Sequence, residues 1–312
     1  MPTLRVAAVQ AEAVILDAEA TIAKAVRLIA EAAAGGARFI VFPETFLPGY
    51  AQWAHSARFE DADHKKLHAQ LVRESVRVPE GLGAIEAAAR KAQAVVVFPV
   101  TESDARTPGT PYNTMAMFGP DGYLGKHRKL VPTHHERTTY GYGGGDTMRA
   151  FEATLPAAGG TITVRFGGLT CWNNYMPLAR AALYMQGIHI YVAPTADDRP
   201  EWQTAMQFIA QESRCFVVAP CLIQRKSSFP ADFELGDHPE WQAEKEWNER
   251  GGSCIVAPDG SYVAEPVYET ETIVYGDIDM DRVVAERQGF EAMGHYGRGD
   301  VLRLHVEGLQ PL

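Results

Sequence analysis

The chain has 312 residues, 46% hydrophobic and 22% charged, enough to bury a large core as one α/β unit or two smaller ones. Its 29 basic and 39 acidic side chains give a net charge of −10, and the only dense basic run, Lys126 to Lys129, is too short for a nucleic-acid face. No apolar run nears the roughly 20 residues that span a bilayer, no signal-peptide pattern opens the chain, and four cysteines without C-x-x-C spacing point to a soluble, cytoplasmic protein with free thiols.

Arg5 to Gln10 reads as a buried strand, and Ala18 to Ala34 as a helix through Ile22, Val26, Ile29 and Ala33, stopped by Gly35-Gly36. Phe39 to Phe42 is a short apolar strand closed by Pro43. Glu80 to Lys91 predicts a helix and Ala94 to Phe98 a strand that Pro99 ends for want of a donor. Tyr112 to Phe118 and Tyr123 to Lys129 flank Gly119-Pro120-Asp121-Gly122, a hairpin turn. A strand at Thr161 to Phe166, a helix at Pro177 to Gln186 and a strand at Ile188 to Ala193 follow. Trp202 to Ser213 and Cys215 to Ala219 repeat the helix–strand pair. Ser253 to Ala257 and Tyr262 to Glu265 form a second hairpin, Thr272 to Ile278 a late strand, and Asp279 or Asp281 caps a closing helix through Arg287. The alternation predicts mixed sheets with helices outside, in one continuous domain over residues 1–312. Residues 51–78 and 224–250, the latter with Trp241 and Trp247, read as surface insertions that shape a pocket mouth, and a short tail ends the chain.

Four residues stand where chemistry is plausible. Cys171 lies at a strand-to-helix junction, where first-turn N–H groups and the helix dipole favour a thiolate; a buried small hydrophobe is the plain alternative. Glu44 follows an apolar strand and a proline, where desolvation raises a carboxyl pKa into the range of a base; it reads equally well as a cap. Lys129, at the end of a strand, offers charge to an attacked nitrile or carbonyl, with Lys126, His127 and Arg128 as alternatives; taken alone it reads first as a solvated basic strand end. Glu136 orients Lys129 or substrate, or else pairs at the surface with Arg137 or Arg128. Cys221 is the second candidate nucleophile. The glycine-rich stretch at 141–145 lacks the strand-before, helix-after context of a dinucleotide site, and neither His134-His135 nor the His64/His68 pair has a designated third ligand, so no cofactor and no metal are expected.

The motifs Phe42-Pro43-Glu44-Thr45-Phe46-Leu47-Pro48-Gly49-Tyr50, Lys129 to Arg137 and Gly168-Leu169-Thr170-Cys171-Trp172, in this order and spacing, resemble the nitrilase (carbon–nitrogen hydrolase) superfamily over nearly the whole chain. The resemblance implies a four-layer αββα sandwich, a catalytic set of Glu44, Lys129 and Cys171 with Glu136 in support, and a homodimer or larger assembly acting on a small nitrile or amide. Cys171-Trp172, Asn174 to Arg180, Glu212 to Val217 and Gly294 to Val301 look most like the true nitrilase branch. The implied reaction is hydrolysis of a nitrile to a carboxylic acid and ammonia through a thioimidate and a thioester, with some amide released. An amidase or carbamoyl hydrolase, or a noncatalytic scaffold, are the rivals. Trp172, Asn173, Trp202 and His135 are candidate pocket residues. Asn173 departs from the family's usual glutamate, which puts the acid-to-amide ratio in question. Gly299 also stands where that branch often has proline.

Overall fold

In the computed structural model, residues 3–56, 62–229 and 246–309 are described. The first sheet is built around three parallel strands: β1 (Thr3–Gln10), β2 (Phe39–Val41) and β3 (Val95–Glu102). β4 (Tyr112–Gly119) and β5 (Gly122–Arg128) extend it as an antiparallel hairpin, and β13 (Thr272–Asp279) closes the other edge beside β1. The second sheet repeats the plan with β7 (Gly160–Gly168), β8 (Ile190–Val192) and β9 (Phe216–Ala219) parallel. β6 (Phe151–Ala157) lies at one edge; β11 (Trp247–Val256) pairs with β9 and carries β10 (Ile223–Arg225) and β12 (Tyr262–Tyr268).

Strand alternation sends one face of each sheet inward. Leu4, Val6 and Ala8 of β1 join Phe39, Val41 and Val97 against Val164, Phe166, Ile190 and Val218 of the opposite sheet. Phe39 and Phe166 meet edge to face at 5.0 Å across this layer. The outer face of the first sheet is covered by α1 (Ala18–Ala34) and α4 (Gly83–Ala92), the outer face of the second by α5 (Pro177–Tyr184) and α6 (Pro200–Ser213). The result is the αββα sandwich. α1 has the bounds its sequence predicts, but its buried stripe is turned by one residue, sharing only Ile29 with the stripe read and leaving Ile22, Val26 and Ala33 half-buried. The Asp17 carboxylate accepts the Ala20 N–H at 2.9 Å, Thr21, Ala25, Ile29 and Ala32 form the buried stripe, and the Gly35 N–H closes onto Glu31 at 2.9 Å. The Asp279 cap on the closing helix, α7 (Met280–Gly289), is likewise present.

Two sequence expectations are corrected, and one strand went unread. Pro99 does not end its strand, since β3 runs on to Glu102 and Pro99 pairs with Met115. Its carbonyl faces Leu47, away from β4, so the missing N–H falls where β2 has already stopped and no ladder bond is lost. The stretch at 51–78 is not merely a polar insertion. It forms α2 (Trp53–Ser56) and α3 (Ala62–Glu74), and Leu67 and Leu71 pack into the first outer core. β6 went unread because Pro156 interrupts it, yet its side chains alternate buried and exposed as an edge strand requires. In the 224–250 stretch, residues 230–245, including Trp241, lie outside the described residues. Trp247 sits under the Arg225 guanidinium at 4.2 Å. The tail returns to the body, where Leu304 and Val306 pack against the second outer core.

Candidate active site

Both central parallel ladders end at the same rim of the sandwich, and the loops that leave them carry the polar residues. Glu44 follows β2, Lys129 follows β5, Glu136 lies in the next 3₁₀ turn, and Cys171 follows β7. Glu44, Lys129 and Glu136 are buried to 1% exposure or less, so their charges must satisfy one another. The Lys129 ammonium donates to Glu44 Oε1 at 2.7 Å and to Glu136 Oε2 and Oε1 at 2.7 and 3.0 Å. Deleting it would leave two buried carboxylates facing each other, at a cost of about 3–5 kcal/mol for a broken buried pair.

The remaining acceptor capacity is almost filled. Glu44 Oε1 also accepts the Asn113 amide at 2.8 Å, and Oε2 accepts the Ala196 N–H at 2.9 Å. A carboxylate offers about four lone-pair sites, so the open one on Glu44 lies on Oε2. Glu136 accepts the Tyr50 hydroxyl at 2.6 Å and the Thr133 N–H at 2.9 Å. It pairs with neither Arg128 nor Arg137. Arg128 and Lys126 instead share Glu102, which leaves Lys129 as the cation of the site. His127 is buried against the Thr147 hydroxyl at 3.2 Å.

Cys171 opens a single 3₁₀ turn, Cys171–Tyr175, with φ +50°, a left-handed conformation that costs a non-glycine residue about 1 kcal/mol or more. Just upstream, Gly168 crosses so close to β8 that a Cβ there would sit 1.8 Å from the Val192 carbonyl, so only glycine allows the approach. The Cys171 N–H donates to the Pro194 carbonyl at 2.9 Å, and the Thr195 hydroxyl, which accepts the Asp197 N–H, belongs to the thiol's surroundings.

Electrostatics sets burial against the thiolate that the strand-to-helix junction favours. Burial first, then the Glu44 charge and with it Glu136, push the Cys171 thiol well up, while Lys129 and Thr195 pull the other way. One 3₁₀ turn supplies too little dipole to reverse this. Glu44 is raised by burial, partly offset by Lys129, with Glu136 adding to the rise. Burial opposes the charge on Lys129, but the two carboxylates outweigh it and hold the amine protonated. The site is therefore a neutral thiol beside a raised carboxyl and a fixed ammonium. Cys221, the other candidate thiol, is fully buried, donates to the Asp197 carbonyl at 3.4 Å and is also pushed well up by burial.

The pocket candidates divide. Trp172 donates its indole N–H to Asp197 at 2.8 Å and stands edge-on to His134 at 5.0 Å. With Asn173, Pro132, Arg137 and Met176 it borders a 280 Å³ hollow. Asn173 uses both amide atoms on one backbone unit, accepting the Val131 N–H at 3.1 Å and donating to its carbonyl at 2.8 Å. Trp202 is fully buried on the inward stripe of α6 with Met206, Ile209 and Ala210. His135 is exposed. Asn113, Tyr50 and Thr195 were missed as site residues. Asn113 left one signal, a strongly polar residue opening an apolar strand where asparagine is disfavoured.

The model of the carbon–nitrogen hydrolase family matches residues 5–288. A nitrilase of Bradyrhizobium diazoefficiens is 41% identical over 311 residues, covering 98% of this chain and 92% of that protein. A bifunctional nitrilase/nitrile hydratase of Lupinus angustifolius is 37% identical over 323 residues, covering 98% and 86%. Among solved structures, a carbon–nitrogen hydrolase from Helicobacter pylori superposes with a TM-score of 0.71 at 19% identity, covering 96% of this chain and 98% of that one.

Proposed function

The chain belongs to the carbon–nitrogen hydrolase family, and from that premise we propose that it hydrolyses a small nitrile to a carboxylic acid and ammonia, with Cys171 as nucleophile, Glu44 as base, Lys129 as the charge that meets the substrate nitrogen, and Glu136 holding Lys129. Carrying this reading is the buried ammonium bridging Glu44 and Glu136, a costly arrangement that packing alone does not require.

In the proposed course, Glu44 Oε2 takes the thiol proton as sulfur attacks the nitrile carbon, and that proton passes to the nitrogen, which gives a thioimidate and returns Glu44 to the carboxylate. Water, deprotonated by Glu44, adds to that carbon. The tetrahedral species breaks its C–N bond, releases ammonia and leaves a thioester, which a second water cleaves to the acid and the free thiol. Breaking the C–S bond instead releases the amide. The scheme needs only side chains and two waters. Lys129 is already oriented, so it stabilises developing charge without reorganising.

A nitrile panel tests this, with acid, amide and ammonia quantified separately and the trapped adduct located by mass spectrometry. An adduct on Cys221 would overturn the nucleophile. Turnover of amides but not of their matching nitriles would favour an amidase or carbamoyl hydrolase. The absence of both, with an inert thiol, would leave a scaffold. The reading further takes 1–312 as one hydrolase unit in a reducing, cytoplasmic setting, consistent with four buried free cysteines. It also includes a homodimer or larger assembly through the α5 and α6 face, where Leu178, Met185 and Phe208 are 70%, 52% and 54% exposed. No described helix is long and apolar enough to cross a membrane.

A further inference from the structure

Two sequence stretches that the catalytic scheme leaves unused, Asn174 to Arg180 and Glu212 to Val217, meet in space beneath Cys171. The Asn174 amide nitrogen donates to the Leu169 carbonyl and to the Cys171 carbonyl, each at 2.8 Å, so one side chain ties the backbone on both sides of the strained residue. The Asn174 side-chain oxygen accepts the Tyr191 hydroxyl of β8 at 2.8 Å. Its backbone carbonyl accepts Arg180 from α5 at 2.8 Å. Arg180 in turn forks onto the Glu212 carboxylate of α6, at 2.7 and 3.2 Å, and the Tyr184 hydroxyl adds a third bond to Glu212 at 2.8 Å.

We propose that Asn174, Arg180 and Glu212 form a positioning relay that holds the nucleophile's turn in its left-handed conformation and so sets the aim of the Cys171 thiol. The relay rests on the reading of Cys171 as nucleophile, though none of its members touches substrate. A left-handed residue relaxes toward the right-handed basin unless its surroundings over-determine it. Here the Leu169 carbonyl, two residues before Cys171, and the Cys171 carbonyl are held by one planar group. That group is fixed by the Tyr191 hydroxyl, and its own backbone carbonyl by the Arg180 guanidinium, which Glu212 holds from the other side. Asn174 is wholly buried and Arg180 nearly so, so weakening any link leaves a neighbour's polar atoms unsatisfied and lets the turn shift.

The test uses Asn174→Asp, which keeps the shape and the Tyr191 contact but loses both donors, together with Arg180→Lys, Glu212→Gln and the Arg180→Lys/Glu212→Gln double variant. Iodoacetamide labelling of Cys171 is timed by peptide mass spectrometry, alongside kcat, KM and melting temperature. We expect Asn174→Asp to slow labelling and to cut kcat by roughly 30- to 100-fold with KM within about threefold, the scale of a misplaced reacting group. Arg180→Lys and Glu212→Gln should each give a loss of about three- to tenfold, and their double variant no more than the worse single, as members of one chain must. Glu212 is 29% exposed at its side chain and is the safest to fold. If Asn174→Asp does not fold, Glu212→Gln and Arg180→Lys decide. A folded variant with wild-type labelling and kcat, or multiplicative losses in the double variant, overturns the relay. Labelling needs no nitrile, so failure of nitrile turnover in the wild type would strike the proposed function and leave this measurement standing.

Discussion

At the scale of single residues, the site depends on charges that have nowhere else to go. Cys171→Ser should remove nitrile turnover, by at least about 10³-fold, and leave the melting curve in place, because the residue's backbone strain is held by Asn174 and not by sulfur. Glu136→Gln makes a sharper test. Glu136 adds to the rise of the Glu44 pKa, so neutralising it should move the acid limb of kcat/KM to lower pH, while kcat falls because Lys129 loses its second carboxylate. An unmoved limb would mean that Glu44 is not the titrating base. Asn173→Glu deletes the donor to the Val131 carbonyl and sets a carboxylate against it, two residues beyond Lys129. We expect a lower melting temperature together with a changed acid-to-amide ratio. A lower melting temperature with an unchanged ratio would confine Asn173 to holding its loop. The motif residues Glu44, Lys129, Glu136 and Cys171 were legible in the sequence as types in suspect places. Their ion pairing was not, because an i to i+7 carboxylate and one 85 positions away look alike until the chain folds.

At the scale of elements, legibility follows agreement among local signals. α1 was bounded to the residue because apolar period and terminal glycines agree, although the stripe that is buried lies one residue before the one read, save at Ile29. β3 was cut short because Pro99 is a breaker only if its nitrogen faces a neighbour, which depends on where a different strand stops. β5 yields a prediction of its own. Alternation turns His127 inward, where burial lowers its pKa from 6.5 to about 4. Between those values the unfolded chain binds the proton and the folded chain does not, so stability is intact above about 6.5 and is lost as pH falls toward about 4. The loss is at most about 3 kcal/mol. Urea titrations of wild type and His127→Gln across that window should show the slope in the first and a flatter line in the second. Equal slopes would place the acid sensitivity elsewhere.

For the whole molecule, strand and helix order announced an α/β protein, but two stacked sheets could not be told from one large sheet by periodicity. Buried strands look alike in both, and the split is set by which inward faces meet, as Phe39 meets Phe166. The exposed apolar side chains on α5 and α6 belong to this scale too. Light scattering should report a dimer or larger species, and Leu178→Asp with Phe208→Glu should shift the mass toward the monomer. A wild-type monomer over a wide concentration range would remove the assembly from the proposal.

Glu44 and Lys129 leave one sheet and Cys171 leaves the other, with Glu44 also gripping the Ala196 N–H beyond β8. The proposed chemistry is therefore a vernier laid across the gap between the layers, expected to read their slip in tenths of an ångström while secondary structure registers only their collapse. A void far from the rim, such as Phe166→Leu in the shared layer, should dull turnover more than it lowers the melting point. On heating, wild-type activity should fade several degrees before circular dichroism changes, the signature of an instrument that loses its calibration before it breaks.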